Sequence, residues 1–564
     1  MNQVIVDYDY EMTLRDGTIL RSDIYRPARE GKFPVILERM PYGKTTYLAG
    51  FQTFNPWIAA RRGFVVIVQD VRGRYASDGD FQPFTQEGKD GLESIEWASR
   101  LPFSDGRVSL AGGSYCGAVQ WLAASEKTSA LKALLPGRTG WQLREGWTYV
   151  GGAFQLGFVL TWVLGMLLPE TIKRLKSEKR TSELLQLLSQ YESLLERTPV
   201  NDIPEFVDEY APYYRKWVEA SADDPIWKVW DNSRVWPLSI PVLHIGGLYD
   251  LFLSGTLKNF LHNGSGQSLL LGPWSHGNHS GFFTEASPGS SGSSDAIGLT
   301  ERQLDWLEMN LGLVKQEFCQ VFMTGKNIWL KGPTNLLEET EEVSLFLTSS
   351  RGANSLNGDG ELLKSSFECN GKDVYLYNPK QPVPTNGGAT LLMGEGISLH
   401  SGPKDQREIE LRNDVLVYTG NVIEQPMDVL GNVKAVLFVS TSAVDTDWTV
   451  KLCDVWPDGR SIHIADSILR MRFRESLSKE ILAKPGEIYE ITVEVGLVSH
   501  SFLPGHRIRL EISSSNFPRF SRNMNCSDRP EFVSIEKSEV AVQQIYHSTT
   551  RPSRLVLPMY CPQE

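Results

Sequence analysis

The chain has 564 residues, 41 % apolar and 22 % charged, which fits a soluble globular protein of three or four domains whose large cores need no disulfide or metal. Its formal net charge of −12, with no basic stripe, excludes a nucleic-acid binder. Six cysteines (Cys116, Cys319, Cys369, Cys453, Cys526, Cys561) show no CxxC spacing, which fits free thiols in a reducing, cytoplasmic setting and argues against a zinc site.

The opening MNQVIVDYDYEM is acidic and lacks the apolar stretch of a secretory signal. Two strands are expected on either side of Asp16-Gly17, a hairpin signal. The runs 33-FPVILERM-40 and 64-FVVIVQD-70 are apolar and β-branched, the mark of strands buried on both faces. Leu92, Ile95 and Trp97 recur at helical spacing within 86–101. A strand at 107-RVSLAG-112 leads into Gly-Gly-Ser, then a helix through Leu122 and a strand at 131-LKALLP-136. This alternation predicts a mostly parallel sheet with helices on both faces over residues 1–140.

The stretch 150-VGGAFQLGFVLTWVLGMLL-168 is uncharged and almost long enough to span a bilayer. Gln155, Thr161, its glycines and its mid-chain position favour a buried, pocket-lining helix over a membrane span. Residues 141–238 read as an inserted helical cap, with Leu184, Leu185, Leu188, Tyr191 and Leu195 at helical spacing. The cluster 173-KRLKSEKR-180 reads as a solvated helix face. Strands resume at 241-PVLHIGG-247 and 267-QSLLLGPW-274, with a helix at 299–312, so residues 239–330 complete the interrupted α/β domain. The Gly/Ser-rich 284–296 reads as a mobile loop. From 331 to 564 strict alternation takes over, with Ile508, Leu510 and Ile512 set against Arg507, Arg509 and Glu511, which predicts a β-sandwich.

Chemistry concentrates at 111-AGGSYCG-117. A serine hydroxyl needs a base to become a nucleophile, exposure, and a nearby oxyanion site. A strand-turn-helix elbow supplies the last two: the turn lifts the side chain, and the amide after the serine, here that of Tyr115, faces the developing oxyanion. Small neighbours at Gly112, Gly113 and Gly117 suit such a turn, although Cys116 replaces the glycine of the strict G-x-S-x-G pattern. A sharp turn that merely uses small residues is the other reading. In an α/β-hydrolase the chain order is Ser, acid, His. Asp250 follows the strand 241–247, and His276 follows 267–274. Asp250 could instead cap a helix. His279 is the runner-up base, and His276 with His279 could hold a metal only with a third ligand that the sequence does not offer.

The strings 40-MPYGK-44, 69-QDVRGRYASDGDF-81, 105-DGRVSLAGGSYCG-117, 246-GGLYDLF-252, 272-GPWSHGN-278, 440-STSAVDTDW-448, 454-DVWPDGRS-461 and 505-GHRIRLEISSSNFPRF-520 resemble, in order and over nearly the whole length, the family of cocaine esterases, X-Pro dipeptidyl-peptidases, α-amino-acid ester hydrolases and glutaryl acylases, the CocE/NonD type. The resemblance implies an α/β-hydrolase domain with an inserted helical cap and a C-terminal jelly-roll (galactose-binding-like) domain. It implies a triad of Ser114, Asp250 and His276, with the Tyr42 hydroxyl joining the Tyr115 amide in the oxyanion hole. It also implies that Trp147, Trp162 and Phe252 line the acyl pocket, against the plainer reading that they are cap core. Asp70, Arg72 and Asp78 read as structural ion pairing near the site floor.

The carboxylates with which α-amino-acid ester hydrolases hold an ammonium are missing, since Leu251, Phe252 and Leu253 follow Asp250. The added N-terminal domain of the dipeptidyl-peptidases has no counterpart here. The expectation is a serine esterase, or an amidase, for small or medium uncharged acyl groups, needing no metal or organic cofactor and no nucleic-acid or membrane partner. A homodimer is compatible. An acylase or acyltransferase passing the acyl group to an amine or alcohol is the second reading, and a non-catalytic binding scaffold the third.

Overall fold

A computed structural model describes residues 3–45, 54–312, 315–365, 370–393 and 401–562. The N-terminal part is built on a ten-stranded sheet. Its strands are β1 (Val4–Thr13), β2 (Ile19–Pro27), β3 (Phe33–Met40), β4 (Val65–Asp70), β5 (Ser104–Gly113) and β6 (Leu131–Gly137). After the insertion and its short hairpin β7 (Tyr149–Val150) and β8 (Ala153–Phe154), the sheet resumes with β9 (Val242–Tyr249), β10 (Gln267–Ser275), β11 (Phe318–Met323) and β12 (Ile328–Gly332). The order is β1-β2-β4-β3-β5-β6-β9-β10-β11-β12. From β4 to β11 every neighbouring pair is parallel, and antiparallel pairs close both ends.

Period-two side chains divide each central strand between two cores. Ile36, Val66 and Val68 face Ala59 of helix α1 (Pro56–Arg62) and Trp306. Val35, Leu37, Val65 and Ile67 face Ile95 of α2 (Glu87–Ser99) and Trp121 of α3 (Tyr115–Ser125). The register Gly113↔Gly137, Gly137↔Ile245 and Gly247↔Gly272 aligns the carboxyl ends of β5, β6, β9 and β10. Loops leaving those ends therefore converge on one edge, where open α/β sheets bind ligands.

The insertion is helical, with two departures from the sequence reading. Gly151 (φ +54°) and Gly152 (φ +79°) fold 149–154 into the hairpin β7–β8, which the apolar run hides. A Cβ on Gly151 would lie 2.0 Å from the Ile468 carbonyl oxygen, so the hairpin sits flush on the C-terminal domain. The run Leu156–Arg174 is long and apolar enough to cross a membrane by length and composition, and 72 % of its most apolar 18-residue stretch is buried inside the protein. Its middle, Thr161–Leu167, is wound as a π-helix. In the basic cluster, Arg174 is not purely solvated: its guanidinium donates to the Tyr75 and Ser77 carbonyls and ties the insertion back to the sheet domain.

The C-terminal part is a β domain whose twelve strands run from Thr340–Thr348 to Arg554–Tyr560 around a core that includes Trp448, Leu452 and Leu510. In Arg507–Ser513 the alternation divides two faces, but the polar face is buried as well. Arg509 pairs with Glu410 at 2.6 Å, and Glu511 with Lys451 at 3.1 Å. The Gly/Ser-rich 284–296 is packed rather than loose, since the Trp274 indole donates to the Gly292 carbonyl and the Trp329 indole to that of Ser291. Cys116, Cys319, Cys453, Cys526 and Cys561 are free thiols, and Cys369 lies outside the described residues.

Replacing Gly151 by alanine forces either the hairpin or the Ile468 strand to move. Gly151→Ala is expected to destabilise the fold by roughly 1–3 kcal/mol, read as a lowered melting temperature by circular dichroism.

Candidate active site

Ser114 sits between β5 and α3 with φ +58° and ψ −124°, a conformation rare for an L-residue. The turn leaves no room on either side. A Cβ on Gly112 (φ +126°) would lie 2.6 Å from the Cys116 Cβ, and one on Gly117 would lie 2.8 Å from the Thr139 Cβ. The Ser114 amide donates to the Gly137 carbonyl at 2.8 Å, which fixes the elbow to β6. The Tyr115 amide opens α3 and is one of the helix's donors with no carbonyl a turn behind it.

Asp250 follows β9, and its side chain has no exposure. It does not cap the helix that follows, Leu253–His262, whose N-cap is Phe252. Oδ1 accepts the Phe252 amide at 2.7 Å in a tight turn, and Oδ2 lies 2.9 Å from His276 Nδ1. His276 follows β10, and its Nε2 lies 3.1 Å from Ser114 Oγ. The carboxylate can only accept, so Nδ1 carries the proton and Nε2 presents its lone pair to the serine. His279 is on the same loop, with Nε2 3.4 Å from the His276 carbonyl oxygen.

Tyr42 lies on the loop after β3. Its hydroxyl accepts the Trp162 indole N–H at 3.0 Å and has the Ser114 side chain as a further hydrogen-bond partner. Burial pushes its pKa far above the usual phenol value, so it stays a neutral donor. Trp162 belongs to the π-helical turn, which aims its indole at the site. Trp147 stacks on Phe252 with centroids 4.4 Å apart, and Phe252 meets the His276 ring edge-on at 5.2 Å. Phe252 thus touches the imidazole, Trp147 stands behind Phe252, and Trp162 reaches the Tyr42 hydroxyl. They are also core: each is at most 1 % exposed, in a cluster with Phe84, Trp217 and Trp230.

Sequence reasoning missed the buried polar groups beneath this site. Arg138, at the end of β6, is 3 % exposed and donates to the His276 carbonyl at 3.2 Å. Burial lowers its pKa to about 10 against the opposing attraction of Asp250. Glu38 lies behind the elbow, 3.0 Å from where a Gly112 Cβ would be, and burial pushes its pKa up to about 8. Arg74 donates to the Pro41 carbonyl beside Tyr42 and to the Leu167 carbonyl of the insertion, both at 2.9 Å. The Tyr115 hydroxyl donates to Glu87, which pairs with Arg39 at 2.9 Å.

Arg72 and Asp78 form ion pairs, with Asp90 and Arg21. Asp70 departs from the ion-pair expectation. Its carboxylate accepts the backbone amides of Lys44 at 2.7 Å and Ala76 at 3.2 Å, bracing the Tyr42 loop, and burial raises its pKa to about 6. Among the described residues, Glu410, Cys453 and Glu511 are close enough together to hold a metal ion. They lie in the C-terminal domain, and Arg509 and Lys451 already balance the two carboxylates.

Residues 16–278 match the model of the X-Pro dipeptidyl-peptidase (S15) family, and residues 319–556 match the X-Pro dipeptidyl-peptidase C-terminal non-catalytic domain. The chain is 34 % identical to a cocaine esterase of Rhodococcus sp. (strain MB1 Bresler), covering 97 % of each chain. Among solved structures it superposes on an aminopeptidase of a marine-sediment Thaumarchaeota archaeon with a TM-score of 0.83 at 23 % identity, covering 99 % of this chain and 96 % of that one. An α-amino-acid ester hydrolase gives 0.81 at 22 % identity, with 99 % and 97 % covered. At these identities the two structures establish the fold alone.

The buried acid gives a signed prediction. Glu38 has a folded pKa raised from 4.5 to about 8, so the folded state binds the extra proton. Its cost is absent below pH 4.5, grows as pH rises to about 8 and is complete above that. Glu38→Gln, which mimics the protonated acid, is expected to match wild type at pH 4.5 and to exceed it by a few kcal/mol (order of magnitude) at pH 9. Thermal melts at both pH values check this, and an equal gap at the two would refute it.

Proposed function

Because the chain belongs to the CocE/NonD type of the X-Pro dipeptidyl-peptidase (S15) family, it is a hydrolytic enzyme of the serine-esterase kind, and we propose that it cleaves esters of small or medium uncharged acyl groups at Ser114. The observation that carries this is the unbroken chain Ser114 Oγ–His276 Nε2 at 3.1 Å and His276 Nδ1–Asp250 Oδ2 at 2.9 Å. His276 takes the serine proton as Oγ attacks the ester carbonyl. The oxyanion of the tetrahedral intermediate is held by the Tyr42 hydroxyl and the Tyr115 amide. His276 returns the proton to the leaving alcohol, and an acyl-enzyme remains. Water, deprotonated by the same imidazole, releases the acid. Asp250 keeps the ring in the working tautomer and stabilises the imidazolium.

The acyl group faces carbon. Trp147, Trp162 and Phe252 form the wall beside Ser114, and Leu251, Phe252 and Leu253 stand where an ammonium-binding enzyme would need carboxylates. An uncharged acyl group suits such a wall. We read the C-terminal β domain as a jelly roll that braces this architecture. The free cysteines support placing the enzyme in a reducing, cytoplasmic compartment.

The reading is tested with p-nitrophenyl esters of increasing acyl length and matched anilides. Turnover is expected on short esters, falling as the chain lengthens. Ser114→Ala is expected to lose at least about 10⁴-fold in kcat, and Tyr42→Phe about 10²–10³-fold. Faster anilide than ester turnover would move the assignment to an acylase, and wild-type rates in Ser114→Ala would overturn it.

A further inference from the structure

Where β9 and β11 meet the C-terminal domain there is a cavity of about 250 Å³, in whose lining neither Ser114 nor the aromatic wall takes part. The catalytic domain contributes Tyr249, Pro288 and Thr324, and the C-terminal domain contributes Trp456, Ile464, Leu503 and a cluster of Asp454, His500 and His506. Most of this lining is carbon, with a hydrogen-bonded cluster of Asp454, His500, His506 and Thr324 among it, a composition that suits a small-molecule site.

The hydrogen bonds say what is lacking there. His506 Nδ1 lies 2.9 Å from each oxygen of Asp454, so that nitrogen carries a proton, and in the neutral form of the ring Nε2 is an acceptor. His500 spans Asp454 at 3.3 Å and the Thr324 hydroxyl at 2.8 Å. The Tyr249 hydroxyl is engaged with Thr324. The Thr324 hydroxyl donates to the Ser499 carbonyl and His506 Nδ1 to Asp454, while carboxylate lone pairs and, in the neutral ring, His506 Nε2 remain to accept. A carboxylate also opposes an anion. The volume suits one ring or a branched chain of similar size.

We propose that this domain-junction cavity is a binding site for a small apolar molecule carrying a hydrogen-bond donor, a hydroxyl or an amine, which packs on Trp456 and Ile464 and donates to the His506–Asp454 pair. The proposal does not depend on the reaction assigned to Ser114. Because residues of both domains line the cavity, an occupant also cross-braces them and raises the melting temperature.

The test uses the full chain carrying Ser114→Ala and four probes of one ring size: benzyl alcohol, benzylammonium, toluene and benzoate. Saturation-transfer NMR is expected to show the alcohol or the ammonium bound at least fivefold more tightly than toluene, with benzoate weakest. The stronger of the two donors tells whether the natural occupant is neutral or cationic. Leu503→Trp, which fills the cavity from its half-exposed rim, is expected to weaken donor binding at least tenfold. His506→Phe keeps a ring at that position and is expected to erase the preference over toluene, so it decides the matter if the tryptophan variant does not fold. Equal binding of toluene and benzyl alcohol in the parent, or unchanged binding in a folded Leu503→Trp or His506→Phe protein, overturns the proposal.

Discussion

The site depends on one backbone conformation, that of Ser114. Holding a non-glycine residue at φ +58° and ψ −124° costs about 1–3 kcal/mol, and it persists only because its surroundings allow nothing else. Gln120 is the main restraint. Its buried amide donates to the carbonyls of Gly112, Cys116 and Leu135, and its oxygen accepts the Leu135 amide. One side chain on α3 thereby locks the last residues of β5 to β6. With the small residues at 112 and 117, this leaves the serine at the tip of the turn, facing the loops that leave β9 and β10.

Around that turn the protein buries ionisable side chains, and one of them is a neutral acid at pH 7. Glu87 is matched by Arg39, but Glu38 has no cation against it among the described residues and lies directly behind the elbow. Arg138 faces Asp250, so the triad carboxylate sits between a cation on one side and an imidazole on the other. The carboxylate orients the imidazole so that Nε2 faces Ser114 Oγ, the geometry in which a base can accept the serine proton.

Much of this was legible in the sequence. Unbroken apolar runs gave away β3, β4, β9 and β10, because a strand covered on both faces has no reason to alternate. The order of Ser114, Asp250 and His276 followed from strand ends. Tyr42 did not, since nothing local separates a catalytic phenol from a packed one; only the likeness of its loop to known hydrolases pointed to it. The hairpin at 149–154 was invisible because two glycines in an apolar run also suit a helix packed tightly on its neighbour. The polar face of Arg507–Ser513 looked solvated because alternation reports two different faces, and not which of them meets water. Arg138 and Glu38 were unreadable in kind: a lone charge in a sequence does not announce that it is buried.

The insertion also bears on how the two halves of the chain could have evolved. Its π-turn residue Thr161 accepts the Met393 amide, Gly157 donates to the Pro518 carbonyl, and Arg522 pairs with Glu196. The roof over the nucleophile therefore hangs from the C-terminal β domain as much as from the sheet it interrupts. Two segments that compare as separate families are, as objects, one machine with a shared ceiling. Drift in the β domain is then drift in the roof over Ser114, and exchanging that domain between relatives amounts to resetting that roof from a distance.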